Sequence, residues 1–416
     1  MTKVSVVGAG PVGLAVAHTL RSRDIPFEVY ERDDRPGTHS YALALHPATV
    51  NLMDEWGVAD KLLQECLSVT KIVYCDEKEP RFTLDMKQIP GEEEGLLVVG
   101  QDHLETALIE PLEAAKVPIH WSQRLAGLQQ DDESVELQLE SLMEGMSGYA
   151  MARLEWQVEK ERKAMSDYLV GADGHYSMVR RKLGIEFPQV APTQSFAVFE
   201  FKTDYEHNNE ARVVFSDAGI GVLWPLPGGY CRWGFEIPEA EAEQYSRDKD
   251  RLFMQVGAHG YQALETDILK DMLEKRAPWF DGSIEQFRWR MIVRFEKRLA
   301  AAYGSNRIWL AGDSAHITGP IGMQSMNIGI FEGKELAQRI ADLIEGTASS
   351  SSLTDYCGER RLEWRALMGL STSLEESQAA DPFIHANKDR LLYCLPASIK
   401  TLPDYVHALG LELKYH

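Results

Sequence analysis

Ile308 to Gly329 reads IWLAGDSAHITGPIGMQSMNIG, an apolar strand that runs into Gly312-Asp313 and on through Gly319-Pro320-Ile321-Gly322 to a helical pattern. A carboxylate between an apolar strand and a Gly/Pro loop needs hydrogen-bond donors, because an unpaired charge there is costly. The loop after it frees several backbone N–H groups. A ligand with hydroxyls for Asp313 and a polar edge for those N–H groups satisfies both. Val4 to Ala17, VSVVGAGPVGLAVA, holds G-x-G-x-x-G as Gly8, Gly10 and Gly13, with Pro11 inside it. In that spacing the first glycine permits a tight turn, the second lets a pyrophosphate approach the backbone, and the third lets helix and strand pack closely. The helix N-terminus then faces the anion. Glu31, within about 20 residues of the glycines, is placed to accept hydrogen bonds from a ribose. A dinucleotide fits this set; an ordinary glycine turn with a surface glutamate is the competing reading.

The elements that must position these residues are legible in outline. Lys3 to Val7, the glycines, the apolar pattern Leu14 to Leu20 and FEVYER form strand, turn, helix, strand. DHLETALIEPLEAAK is an amphipathic helix with Leu104, Leu108 and Leu112 on one face, followed by VPIHW as a strand. VELQLES and RLEWQVE alternate as a hairpin does, and YLVGADG is another strand ending in a glycine turn. From about Phe196 to Phe235 the pattern changes to consecutive strands, FAVFEFK, ARVVF, GVLWPL and YCRWGFE, with turn signals between them. This predicts a separate, mostly antiparallel layer. IWLAGD returns to the first architecture and leads to a long helix ending near Gly346. TASSSSL reads as a linker, and the tail from Leu353 as helices.

With 416 residues the chain is long enough for two or three domains. Lys+Arg 43 against Asp+Glu 64 gives a net charge of -21, which repels nucleic acid and acidic membrane surfaces. The five cysteines are scattered without a C-x-x-C pair, so neither a disulfide framework nor a metal site is indicated, and a reducing, cytoplasmic setting is expected. The apolar N-terminus superficially looks like a signal peptide, but its glycines and proline interrupt the run. No apolar run is long enough to predict a membrane span.

Taken together, VSVVGAGPVGL, YLVGADGHYSMVRRKLGI and the GD stretch, with GQDHLE and LWPLPGGYCRWGFE between them, resemble the single-component FAD-dependent monooxygenases of the para-hydroxybenzoate hydroxylase fold. The resemblance covers most of the chain through about Gly346. It implies an α/β fold: a Rossmann-like FAD-binding domain (1–70, 97–185 and 300–350), an inserted, mostly antiparallel β-sheet substrate domain (71–96 and 186–299) and a C-terminal helical region (351–416). It also implies that Asp313 binds the ribityl chain and that the loop Pro320 to Asn327, with Gly322, Met323 and Met326, presents backbone groups to the flavin ring. The resemblance further implies that Gln101 faces the cofactor, that Arg32 and Leu125 join its site, and that Asp173 with Gly174, Ser177 and Arg180 is associated with FAD and NAD(P)H. The implied reaction is reduction of FAD by NADPH or NADH, then hydroxylation or oxygenation of an aromatic or polycyclic substrate by O2 through a flavin C4a-hydroperoxide. An oxidase or reductase on the same fold shares the cofactor motifs and inserts no oxygen.

Some positions depart from the family or have two readings. Tyr41 and Tyr176 stand where relatives commonly carry arginine, which bears on nicotinamide use. Met323 and Ser325 replace glycines, so either the loop is remodelled or Met323 projects toward the flavin edge, a left-handed non-glycine residue costing about 1–3 kcal/mol. Asp173 is either a cofactor ligand or part of a plain turn. Arg180 and Arg181 are either functional or a solvated helix face, and His316 is either a proton carrier or a satisfied core histidine. The substrate is expected between the flavin and the sheet of the second domain, and Phe199, Phe201, Trp224 and Trp233 are candidates to line it, although such aromatics are more often core than pocket. Arg212 and Arg232 either hold an acidic or phenolate oxygen or are surface residues.

Overall fold

The computed structural model describes residues 3–34, 44–147, 153–247, 253–256, 259–377 and 380–416. Tyr41 and the turn of the VELQLES/RLEWQVE hairpin lie outside them. The first layer is a six-stranded sheet in the order Gly304–Ser305, Ile308–Leu310, Tyr168–Gly171, Val4–Val7, Phe27–Tyr30, Ile119–His120. The last five strands pair in parallel, and Gly304–Ser305 is an antiparallel edge. Val4–Val7 is buried throughout, as expected of a central parallel strand covered on both faces. Helix Pro11–Ser22 starts with proline at its first position, where the missing N–H costs nothing, and packs against helix Gln324–Ile344.

The second layer is an eight-stranded sheet in the order His316–Ile317, Glu285–Leu299, Gln189–Lys202, Tyr230–Ile237, Gly219–Leu226, Glu210–Ser216, Lys71–Cys75, Pro80–Asp85. All its neighbours are antiparallel except Glu210–Ser216 with Lys71–Cys75. Its strands come from the two segments assigned to the inserted domain, plus His316–Ile317, which the sequence reading left with the first layer. The sheet has two unlike faces. One packs Phe199, Phe201, Trp233 and Phe235 against helix Thr266–Arg276 in a separate core. The other packs Phe196, Ala211, Val213 and Trp224 into the core shared with the first layer and the tail. The tail is not wholly helical: after helix Ser351–Leu367, strands Thr372–Glu376 and Leu411–Tyr415 pair antiparallel. Thr372–Glu376 (TSLEE) does not alternate, and Leu411–Tyr415 (LELKY) alternates over only five residues beside a helical pattern, too short a run to stand out.

One buried network ties these parts together. Glu332, on helix Gln324–Ile344, is fully buried and accepts from Gly312 N–H (2.9 Å), His316 Nε2 (2.7 Å) and Trp364 Nε1–H (2.7 Å). His316 stacks on Trp364 at 3.8 Å, and its Nδ1 has no partner among the described residues. It is a core histidine. Burial works against the Glu332 carboxylate, but the attraction of His316 and the three hydrogen bonds prevail and hold its pKa below the ordinary range.

Replacing Glu332 by Ala should cost about 3–5 kcal/mol of stability, the penalty for removing one member of a buried pair. Because ionised Glu332 is favoured in the folded state, its contribution is complete above the ordinary carboxyl value of 4.5 and is lost as pH falls through the depressed folded value. Thermal melting followed from neutral to acid pH should therefore show a shallower decline for Glu332→Gln than for the natural protein.

Candidate functional site

Three strand ends meet at one edge of the parallel sheet, and each ends in glycine. Gly8 follows Val4–Val7 at φ +107°, and a Cβ there would lie 2.2 Å from Ala172 O at the end of Tyr168–Gly171. Gly312 follows Ile308–Leu310 at φ +68°, where a Cβ would meet Val12 at 2.7 Å. A Cβ on Gly13 would sit 1.9 Å from Gly8 O, so that glycine serves packing. Gly10 differs: a Cβ there meets nothing within 4 Å, so the backbone before helix Pro11–Ser22 borders open space. That open backbone at a helix N-terminus, at the carboxyl ends of parallel strands, is where a pyrophosphate fits.

Two carboxylates face this edge. Glu31 Oε2 accepts Ala9 N–H at 2.7 Å and Oε1 accepts Asp33 N–H at 2.9 Å, which anchors it on the glycine turn. Burial pushes its pKa up, partly offset by those two N–H groups. Arg32 beside it is exposed and pairs with Asp33. Asp313 is half-buried, and its Oδ1 accepts Ser325 Oγ–H at 2.5 Å. No partner for Oδ2 is found among the described residues, so one oxygen remains for a ligand hydroxyl.

The loop after Asp313 is held from several sides. Met323 keeps the left-handed conformation, φ 50° and ψ 29°, directly before helix Gln324–Ile344, and its side chain packs on the core. The loop is therefore strained at Met323 rather than remodelled. Ser325 is helical and needs no glycine. Gly322 is required by the tail, since a Cβ there would lie 2.5 Å from Leu395 O. Asn327 is buried as a staple: Oδ1 accepts His46 N–H at 2.8 Å, and Nδ2–H donates to Ala44 O (2.9 Å) and Met323 O (2.7 Å). Its side chain is thus committed to the protein. Pro320 is half-buried, and Met326 packs on the core.

Residues that sequence reasoning passed over complete this clamp. His46 Nε2 bonds Gly322 O at 3.1 Å, and burial lowers its pKa to about 4, so it is a neutral donor. Gln324 reaches Leu395 O (3.2 Å) and Ala397 O (3.3 Å). The signal for His46 was its place before Pro47 at a helix start; nothing local marks the tail as a partner.

Other expected residues sit as follows. Asp173 caps helix Met178–Lys182, accepting Ser177 Oγ–H (2.6 Å), Met178 N–H (2.6 Å) and Val179 N–H (3.1 Å), so the local-turn reading accounts for its carboxylate. Arg180 is no solvated residue: it is buried, donates to Ser314 O (2.7 Å) and His175 O (2.8 Å), and lies over Phe187. Arg181 bonds backbone carbonyls of its own turn, and Tyr176 is exposed. Gln101 opens helix Gln101–Ala114 and donates to Glu105 at 2.8 Å, and Leu125 is buried.

The substrate candidates divide by face. Phe199, Phe201 and Trp233 belong to the core with helix Thr266–Arg276, turned away from the first layer, which corrects their placement between sheet and cofactor; strand alternation sets the pair but not the side. Arg212 shares that far face, over Trp279 at 4.7 Å and near Glu210 at 3.3 Å. Arg232 is on the near face but bonds Glu200 twice, at 3.1 and 2.7 Å. Trp224 lies on the near face, and it lines a void of about 10 Å³ with Ile72, Ala211, Val213, Ile321, Cys394 and Pro396.

Comparison with known proteins agrees with this architecture. A family model described as an FAD binding domain matches residues 1–371. The chain is 27% identical over 361 residues to 6-methylpretetramide 4-monooxygenase of Streptomyces rimosus, covering 86% of this chain and 59% of that protein. It is 25% identical over 372 residues to pentachlorophenol 4-monooxygenase of Sphingobium chlorophenolicum, covering 86% of this chain and 61% of that one. It thus spans about three fifths of these curated relatives. The crystal structure of p-nitrophenol 4-monooxygenase from Pseudomonas putida DLL-E4 superposes with TM-score 0.71 at 19% identity, covering 99% of each chain.

The glycines separate folding from binding. Gly10→Ala should leave the melting of flavin-free protein within about 0.5 kcal/mol of the natural chain and weaken FAD binding by about tenfold or more in a titration. Gly13→Ala should instead destabilise the flavin-free fold by at least about 1–3 kcal/mol through overpacking.

Proposed function

Because the chain belongs to the FAD binding domain family, we propose that it is an FAD-dependent monooxygenase that uses NADH or NADPH and O2 to hydroxylate or oxygenate an aromatic or polycyclic small molecule in the cytoplasm. The observation that carries this reading is that Gly10, Glu31 and Asp313 follow the carboxyl ends of parallel strands of one sheet, with the mostly antiparallel sheet beside the loop after Asp313. Bound FAD would supply the redox chemistry, taking electrons from the nicotinamide and passing them to O2.

The protein's share is binding, orientation and exclusion of water. The Gly10 backbone and the N-terminus of helix Pro11–Ser22 hold the pyrophosphate, Glu31 accepts a ribose hydroxyl, and Asp313 Oδ2 accepts a hydroxyl of the ribityl chain. Ser325 keeps Asp313 oriented through Oδ1. The positive end of helix Gln324–Ile344 favours negative charge on a group docked at the loop. Ile321 and Trp224 make the apolar wall that separates an aromatic substrate from water. The net charge of -21 argues against nucleic acid as a partner.

With labelled O2, an aromatic compound that speeds NAD(P)H oxidation should yield a product carrying one labelled oxygen atom. Sustained substrate-dependent turnover with unlabelled product would assign the chain to an oxidase or reductase instead.

A further inference from the structure

Among the described residues, the near face of the eight-stranded sheet carries a buried cation with no carboxylate at ion-pair distance. Lys297, on strand Glu285–Leu299, is 4% exposed. It has no ion pair among the described residues, and its Nζ lies 3.1 Å from the ring centroid of Tyr393. Strand alternation puts it on the side of Phe295, which packs edge-on against Phe196. Glu236 shares this face and accepts Gln194 Nε2–H at 2.9 Å and Ile220 N–H, and its charge acts on Lys297 only from beyond ion-pair distance. Arg232, the other buried cation here, is neutralised by Glu200. Lys297 is therefore the buried charge left to a ligand.

Its surroundings connect it to the candidate site. A Cβ on Gly319, in the loop after Asp313, would lie 3.9 Å from Lys297 Cε and 3.4 Å from Gln194 Oε1. Tyr393 covers the ammonium, and the next residue, Cys394, lines the small void with Trp224 and Ile321. Trp224 Nε1 is a buried donor with no partner among the described residues. The ammonium lies against Tyr393, and the apolar wall with its orphan indole N–H lies against Cys394, so this pair of adjacent residues is what stands between the cation and the void. An aromatic π face is a weaker partner for an ammonium than an oxyanion held in a charge-assisted hydrogen bond.

We propose that Lys297 is the specificity-determining receptor for an ionised oxygen, phenolate or carboxylate, on the aromatic substrate, and that the Tyr393 ring holds the ammonium's place until substrate displaces it. The inference rests on the monooxygenase reading for the nature of the substrate. The void of about 10 Å³ has room for about one water, so entry requires the segment Tyr393 to Pro396 to shift. Burial pulls the Lys297 pKa down to about 8, against the raising effects of Cys394 and Glu236, so the cation is present at neutral pH. Burial pushes the Tyr393 and Cys394 groups up, Cys394 to about 12, so neither gains charge as Lys297 titrates.

The test is equilibrium binding to the FAD-replete protein without reductant, with 4-nitrophenol as the phenolate probe and 4-nitroanisole as its neutral counterpart. Lys297→Met should weaken 4-nitrophenolate about 10- to 100-fold and leave 4-nitroanisole unchanged, while Lys297→Arg should keep most of the phenolate affinity. Phenolate affinity of the natural protein should also fall as pH rises through about 8, and this fall should vanish in Lys297→Met. Equal loss of both probes in Lys297→Met, undiminished phenolate binding, or a natural protein that binds neither probe would overturn the assignment. Binding is read without turnover, so unlabelled product in the oxygen experiment removes the monooxygenase reading and leaves this result standing.

Discussion

Glu332 has no access to solvent, and three donors from three parts of the chain converge on it: the Gly312 N–H, His316 and the Trp364 indole. A buried carboxylate is tolerated only when such partners satisfy it. The satisfied network fixes the turn that carries Asp313 relative to helix Gln324–Ile344 and to helix Ser351–Leu367. Tyr356, from the same tail helix, adds a bond to Leu310 O at 3.1 Å, at the end of the strand that delivers the turn. The position of Asp313 is thus a consequence of core electrostatics several residues away.

The same economy governs the glycines. Gly8, Gly13 and Gly312 are small because neighbouring backbone or side chains leave no room, while Gly10 alone of the fingerprint borders open space. Three of the four build the edge, and one leaves it open. At the far end of the site Met323 accepts a left-handed conformation that glycine would adopt freely. Asn327, His46 and Gln324 hold that segment from three sides, and such over-determination is what lets a strained residue persist. The tail is therefore a structural partner of the loop.

Much of this was legible in the residues. The parallel layer followed from glycine placement and apolar strands, and the antiparallel layer from consecutive alternating segments, because both signals are local. Three things were not local. Strand alternation pairs Phe199 with Phe201 but cannot say which face meets the first layer; the structure puts both in the far core, as the core reading of them expects, and away from the substrate. Asp173 and Arg180 read as a motif, while their hydrogen bonds show a helix cap and a tie to Ser314 O. The contacts of Gln324 with Leu395 and Ala397 join residues more than 70 positions apart, and no spacing rule anticipates them. Lys297 was passed over for a related reason: a lysine in an edge-facing strand looks solvated until the tail is seen to cover it.

The proposed function requires that the meeting strand ends form a complete FAD site. Flavin content of the purified protein tests it most directly, by absorbance after release and by mass of the released cofactor. The account predicts one FAD for each chain. A folded protein that takes up no FAD when supplied with it, or that binds only a nicotinamide dinucleotide at this edge, would contradict it.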